Sequence, residues 1–368
     1  MRYRAVLTVL AILATLQLGS LVSPAYACGC GAMVHHPGDR LDVNRETSAV
    51  RWDGSTEQIV MSLTVTGTAR SAAWIMPVPH RATVALGDRK LFDELEKITA
   101  PVHRTRTHFL PDDGDWPFDD AHTSGDGAPH AAASAPVHVV GRESLGPFDV
   151  ARLTATDPSA LGSWLRTNGF DLPAGLTADL QPYVDQKWEY VAIRLAPRQQ
   201  GKALTGTLDP LALSFASDRL VYPMRLSRRA KSQQSLGLYV LASHRMEPKD
   251  WIGGMRPAVT YAGKVASEGP VGQLADGQTY LTAIDQTFPA PSRIDADHEL
   301  TRMATDTPYQ QVIYTDTLLK VAGIPAWLLT ALGTLALAAV AVALLLVRAH
   351  RRRPVIPPLS VQAPPPLR

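Results

Sequence analysis

From Val321 to Val347 the chain runs without a charged residue, and this stretch restricts where the protein can fold more firmly than any other part of it. Ile324 to Val347 alone is 24 residues, about 36 Å of helix at about 1.5 Å per residue. A bilayer's hydrocarbon core is roughly 30 Å thick, so the run predicts one transmembrane helix over 321–347, tilted to fit. Pro325 falls in the first turn, where its missing N–H is harmless, and Trp327 lies where an interfacial aromatic belongs. Arg348, Arg351, Arg352 and Arg353 follow at once. That excess of positive charge predicts a cytoplasmic C-terminus for 348–368, a basic and then Pro-rich tail with Pro357, Pro358, Pro364, Pro365 and Pro366.

The N-terminus makes the same case from the other side. Arg2 and Arg4 precede an apolar run from Ala5 to Val22, and Ala25-Tyr26-Ala27 closes it. A positive start, an apolar middle and a small-x-small ending predict a cleaved secretory signal over 1–27. The expected product is a single-pass protein of the cell membrane, facing the envelope with its large N-terminal domain.

The 293 residues between 28 and 320 are enough for a sizeable core. Net charge is +2, with no Lys/Arg stripe interleaved with aromatics outside the membrane flank, so nucleic acid has no electrostatic footprint here. The expected partners are the lipid bilayer and an envelope protein or peptide.

Within this region the periodicities mix. Ser48–Trp52 and Ser55–Val65 flank Asp53-Gly54, a two-residue hairpin signal, and Ile59, Met61, Leu63 and Val65 alternate with Val60, Ser62 and Thr64. Ala72–Met76 reads as a strand ending at Pro77-Val78-Pro79, because proline cannot continue a ladder through its centre. Asp88–Ile98 switches to helical spacing, with Leu91, Leu95 and Ile98 on one face. A second helix is expected over Pro158–Asn168, capped by Asp157, facing inward with Leu161, Trp164 and Leu165 and stopped by Gly169; a third is expected over Ala178–Lys187. Strands are expected at Trp188–Leu195, Leu211–Phe215 and Leu236–Leu241. The class is therefore α+β with a mainly antiparallel sheet, occupying 28–291. Residues 111–136, rich in Asp, Gly, Ala and Ser, read as a mobile insert, and 292–320 as a polar juxtamembrane segment.

Five separated motifs occur in one order: Trp74-Ile-Met-Pro-Val-Pro79, Leu145-Gly-Pro-Phe-Asp149, Leu161 to Gly169, Tyr183 with Trp188, and Tyr222-Pro-Met-Arg-Leu-Ser227. Together they resemble the bacterial "domain of unknown function 2330" family over roughly Cys28 to Leu241. The resemblance implies an exported, membrane-anchored protein; it carries no activity, cofactor or site residue.

Candidate chemistry is sparse. Cys28 and Cys30 are the only cysteines, and in an oxidising compartment they predict a short-loop disulfide. With His35 and His36 they also form a candidate ligand set for a soft metal, and a thiol redox or metal-handling role is the alternative function. Asp112, Asp113, Asp115, Asp119 and Asp120 lack the alternate spacing and closing glutamate of a calcium loop. No Gly-x-Ser-x-Gly, Ser-x-x-Lys or His-Glu-x-x-His pattern occurs, so the sequence singles out no catalytic residue and no cofactor, and a hydrolase with dispersed residues stays open as a third reading. Trp74, Trp164 and Trp188 are candidates either for core packing or for lining a ligand groove. The leading reading is a non-catalytic, membrane-tethered binding domain.

Overall fold

The structure is a computed structural model, and it describes residues 31–36, 38–112, 143–145, 148–153, 158–171, 175–196 and 202–351. The signal region, Cys28, Cys30, Asp157, nearly all of the acidic insert and the tail beyond 351 lie outside them.

The described residues between 31 and 102 and between 143 and 311 form one compact unit. Its largest sheet runs in the order 309–310, 258–264, 280–288, 234–242, 41–52, 56–67, 211–216, 83–86, with 206–207 also paired to 56–67. Only the pairing of Leu41–Trp52 with Gln234–Ala242 is parallel; the rest of this sheet is antiparallel. A second sheet orders 32–35, 72–78, 189–195, 148–153, 143–145, and a third orders 220–222, 298–302, 246–248. The fold is mixed α/β with mostly antiparallel sheets and five α-helices among the described residues, as the class read from the sequence requires.

Three cores explain the layering. Ile59, Met61, Leu63 and Val65 pack with Trp74, Met76, Val191 and Ile193, so the first core lies between the two larger sheets. On the far side of the second sheet, Ala73, Ile75 and Ala192 meet Leu161 and Leu165 of helix Pro158–Thr167 and Leu176 and Leu180 of helix Leu176–Asp185. On the far side of the first sheet, Ala49 and Val60 meet Leu91 and Leu95 of helix Arg89–Thr99 and Val271 and Leu274 of helix Gly269–Ala275. Helix, sheet, sheet and helix thus stack as four layers. Both faces of Ala72–Val78 are covered, which is why its sequence is continuously apolar and not alternating.

Several local expectations hold and several shift. Asp88 caps its helix through the Lys90 N–H at 2.9 Å, and Gly169 takes the positive φ that ends the second helix. The 41–67 hairpin turns on Asp53, Gly54 and Ser55, three residues and not two, because Asp53 Oδ1 accepts the Ser55 and Thr56 N–H groups. Pro77 does not end its strand: Pro77 pairs with Tyr190 and Val78 with Glu189. Among the described residues strand Ala32–His35 pairs with 72–78 only as far as Ile75, so no described residue on that side asks for an N–H from Pro77. Trp164 is only half-buried. Within 292–320, His298–Arg302 is a ladder strand in which His298 and Leu300 are buried.

The described residues 103–112 and 312–351 form the other unit. Strands Val102–His108 and Val312–Leu318 pair with each other. Ion-paired Arg106 and Asp316 are 210 positions apart, and the Val102 N–H to Gln311 O and Leu319 N–H to His108 O bonds keep nearly the same offset at both ends. A constant difference means that the two strands run parallel. A tight hairpin, Lys320–Val321 with Ile324–Pro325, leads into helix Ala326–Arg351. The transmembrane helix expected from 321 therefore starts at Ala326, because Val321 and Ile324 pair with each other across Ala322 and Gly323, both at positive φ. It spans 26 residues and is long and apolar enough to cross a membrane.

Candidate functional site

The segment Leu220–Arg225 is held by three acidic side chains from different parts of the chain. Glu46, on strand Leu41–Trp52, accepts the Tyr222 hydroxyl, and Ser48 Oγ lies 2.6 Å from the same oxygen. Glu57, on strand Thr56–Gly67, accepts the Val221 N–H at 3.2 Å. Asp297, just before strand His298–Arg302, accepts the Met224 N–H at 2.7 Å, the Arg225 N–H at 3.1 Å and the Tyr183 hydroxyl at 2.6 Å through one oxygen. Its other oxygen takes Arg225 Nε at 3.1 Å, and Arg225 Nη1 also donates to the Asp295 carbonyl at 2.8 Å. Charge-assisted bonds of this kind fix both partners in place.

Burial sets the protonation of this framework. Burial, and then the Asp297 charge, pushes the Tyr183 phenol well above its ordinary value, which keeps it a donor. Glu57 is fully buried, its second oxygen has no partner among the described residues, and desolvation pushes its carboxyl well above the ordinary range despite the Val221 N–H. His298, opposite Tyr222 in the ladder, is pushed down to about 4 by burial; its Nδ1 likewise lacks a partner among the described residues.

Over this framework lies a cleft of about 180 Å³ lined by Gln186, Trp188, Arg219, Val221, Arg225, Asp250, Ile252, Ala296, Asp297 and Glu299. Trp188 is buried against Tyr183, ring centroids 5.1 Å apart, and forms the apolar wall. Arg225 is engaged with Asp297, Arg219 Nη2 donates to Gln186 Oε1 at 2.9 Å, and Glu299 stands 3.8 Å from Lys249. Trp251, between the lining residues Asp250 and Ile252, is 64% exposed, with the Arg256 guanidinium 5.5 Å from its ring centroid. Met255, in the same loop, is also exposed.

Sequence candidates reach this place unevenly. Trp188 lines the cleft, Trp74 is wholly in the core, and Trp164 packs beside the helix layer. His35 is buried in its strand; His36 stacks on Phe170 at 4.9 Å with its Nε2 3.3 Å from Ser71 Oγ. Among the described residues no group of three or more His, Cys, Asp or Glu side chains gathers for a metal, and the candidates Cys28 and Cys30 lie outside them. Arg219, Asp250, Asp297 and Glu299 carried no local signal. Arg225 did, inside the Tyr222–Ser227 motif, and so did the pairing of Tyr183 with Trp188; the cleft is where these motifs meet.

A family model described as "Uncharacterized protein conserved in bacteria (DUF2330)" matches residues 24–301. No curated protein matches the chain. Two solved structures show a distant likeness, each with 9% sequence identity: a crystal structure of baculovirus P35, at a TM-score of 0.32 over 72% of this chain and 98% of that one, and one of the caspase-8/P35 complex, at 0.28 over 73% and 95%. At such TM-scores the likeness carries no argument.

Proposed function

We propose, from the premise that the chain belongs to the bacterial domain of unknown function 2330 family, that it is a single-pass envelope protein whose large domain binds a segment of a protein or peptide partner. What supports this most is Trp251 standing exposed beside the charged cleft. An exposed tryptophan and methionine next to a concavity with a rigid floor have the composition of an interface anchor. At about 180 Å³ the cleft takes one side chain, well short of the roughly 300–1,000 Å³ of a small-molecule site. Its lining holds two cations and three acids; Arg225 pairs with Asp297, Glu299 stands 3.8 Å from Lys249 and Arg219 donates to Gln186, leaving Asp250 as the lining acid with no ion pair among the described residues. Asp250 favours a cationic side chain on the partner.

In this reading helix Ala326–Arg351 is the anchor, Arg348 and Arg351 in its last turn and Arg352 and Arg353 beyond it stay in the cytoplasm, and residues 1–27 are removed on export. A photo-crosslinking residue placed at Trp251 in the full-length protein, expressed in bacterial membranes, tests the cleft. A discrete adduct is expected at 251, lost on Asp250→Lys and absent with the crosslinker at exposed Lys90, on the helix layer away from the cleft. Equal labelling at both positions refutes the cleft. Protease added to spheroplasts tests the anchor: it should digest the large domain and spare a tag after Arg368, and a protected domain reverses the orientation.

A further inference from the structure

Apolar surface continues past the start of helix Ala326–Arg351 on the side of the paired strands. His108, which ends strand Val102–His108, accepts the Leu319 N–H at 2.9 Å, and Leu319 in turn accepts the N–H of Ala326, the first helical residue, at 2.8 Å. The chain bends directly after His108, whose Nδ1 lies 2.6 Å from the Leu110 carbonyl. That bend presents Phe109 and Leu110 outward, Leu110 being 67% exposed. Leu319, Val321 and Ile324, from the short hairpin on the other side of the same bonds, are exposed as well. Five large exposed apolar side chains therefore belong to the two segments that these bonds join at the start of the helix.

The character changes within a few residues along the strands. Thr105, Arg106, Thr315 and Asp316 are exposed, and Arg106 holds Asp316 with bonds of 2.7 and 2.9 Å. Polar and charged side chains thus begin within three residues of His108 and Leu318, with exposed Ile313 and Tyr314 further along the second strand and the Arg106 guanidinium 5.7 Å from the Tyr314 ring centroid. A contiguous exposed apolar patch marks an interaction surface, and what lies next to this one is a helix whose own side chains are suited to hydrocarbon.

We propose that Phe109 and Leu110, together with Leu319, Val321 and Ile324, are seated in the interfacial zone of a lipid bilayer, so that the chain meets the membrane at the bend as well as through its helix. This rests on the reading of Ala326–Arg351 as a membrane anchor. Lys320, exposed between Leu319 and Val321, can lay its methylene stem along the patch and reach the head groups with its ammonium. A bend seated in this way gives the helix a second contact with the bilayer, which restrains rotation about the helix axis.

Depth-dependent quenching in the full-length protein tests it. In a Cys28→Ser, Cys30→Ser background, an environment-sensitive fluorophore is attached singly at Leu110→Cys, Thr105→Cys or Leu337→Cys. The protein is reconstituted into vesicles of phosphatidylcholine and phosphatidylglycerol carrying doxyl quenchers either near the head group or deep in the acyl chain. The 110 label should be blue-shifted and quenched by the shallow quencher roughly twofold more than the 105 label, as an interfacial position requires. The 337 label should respond chiefly to the deep quencher. A quenched 337 label beside a water-exposed, unquenched 110 label overturns the proposal and leaves the anchor standing. If neither is quenched, the anchor fails and the proposal with it. A blue-shifted 110 label that no lipid quencher reaches means that protein, such as a second copy, covers the patch, and this also overturns the proposal.

Discussion

Replacing Glu57 by glutamine should remove a pH dependence that the fold builds into its own stability. Burial holds this carboxyl well above its ordinary value of 4.5, so the folded protein keeps a proton that the unfolded chain has released. The contribution is complete below about pH 4.5 and is lost as pH rises from there through the folded value. One proton of difference corresponds to a slope of about 1.4 kcal/mol per pH unit. Glutamine cannot ionise and still offers Val221 a carbonyl oxygen, while its amide N–H groups add a pH-independent cost of about 1–3 kcal/mol where the second carboxyl oxygen stood. The stability of Glu57→Gln minus that of wild type should therefore climb by up to about 1.4 kcal/mol per unit as pH rises above about 4.5, and level off once the folded group ionises. Guanidinium unfolding of the full-length protein in a nonionic detergent, followed by tryptophan fluorescence at stepped pH, measures the difference. Subtraction cancels His298 and every other group common to both proteins. A difference constant from pH 5 to 8 would mean that the carboxyl is charged in the fold, and the reasoning from burial would be refuted.

His298 should act in the opposite direction. With its folded pKa lowered from 6.5 to about 4, its contribution is present above pH 6.5 and is lost as pH falls to about 4, some 3 kcal/mol at about 1.4 kcal/mol per unit; acid titration by circular dichroism should show this loss shrink in His298→Gln. Trp74→Ala should cost about 3–5 kcal/mol, because the side chain is fully enclosed between the sheets, whereas half-buried Trp164→Ala should cost under about 2 kcal/mol. Equal costs in denaturant melts would put the layers in doubt. Asp297→Ala should cost about 3–5 kcal/mol by stranding Arg225 and the Tyr183 hydroxyl, and adding Arg225→Met should recover part of it; a double variant no more stable than the single one would show that the ion pair is not what the loss measures.

What was legible in the sequence was what local pattern controls. The alternation of Ile59, Met61, Leu63 and Val65, the spacing of Leu91 and Leu95, the Gly169 stop and the uncharged run to Val347 each follow from one segment's own geometry and from the burial it needs. Periodicity reports that a residue is buried; it does not report against what. Pro77 was read as a stop because its missing N–H is a local fact, but whether that N–H is needed depends on how far Ala32–His35 extends beside it. Ile324 was read as helical because it is apolar, yet pairing with Val321 held it out of the helix. The cleft is the extreme case. Glu57 and Val221 are 164 positions apart and Tyr183 and Asp297 are 114 apart, so no window of sequence contains either bond. Burying a carboxylate is unfavourable wherever it is done, and only the tertiary structure, by bringing Val221, Tyr183 and Arg225 to these oxygens, decided which acids could be enclosed.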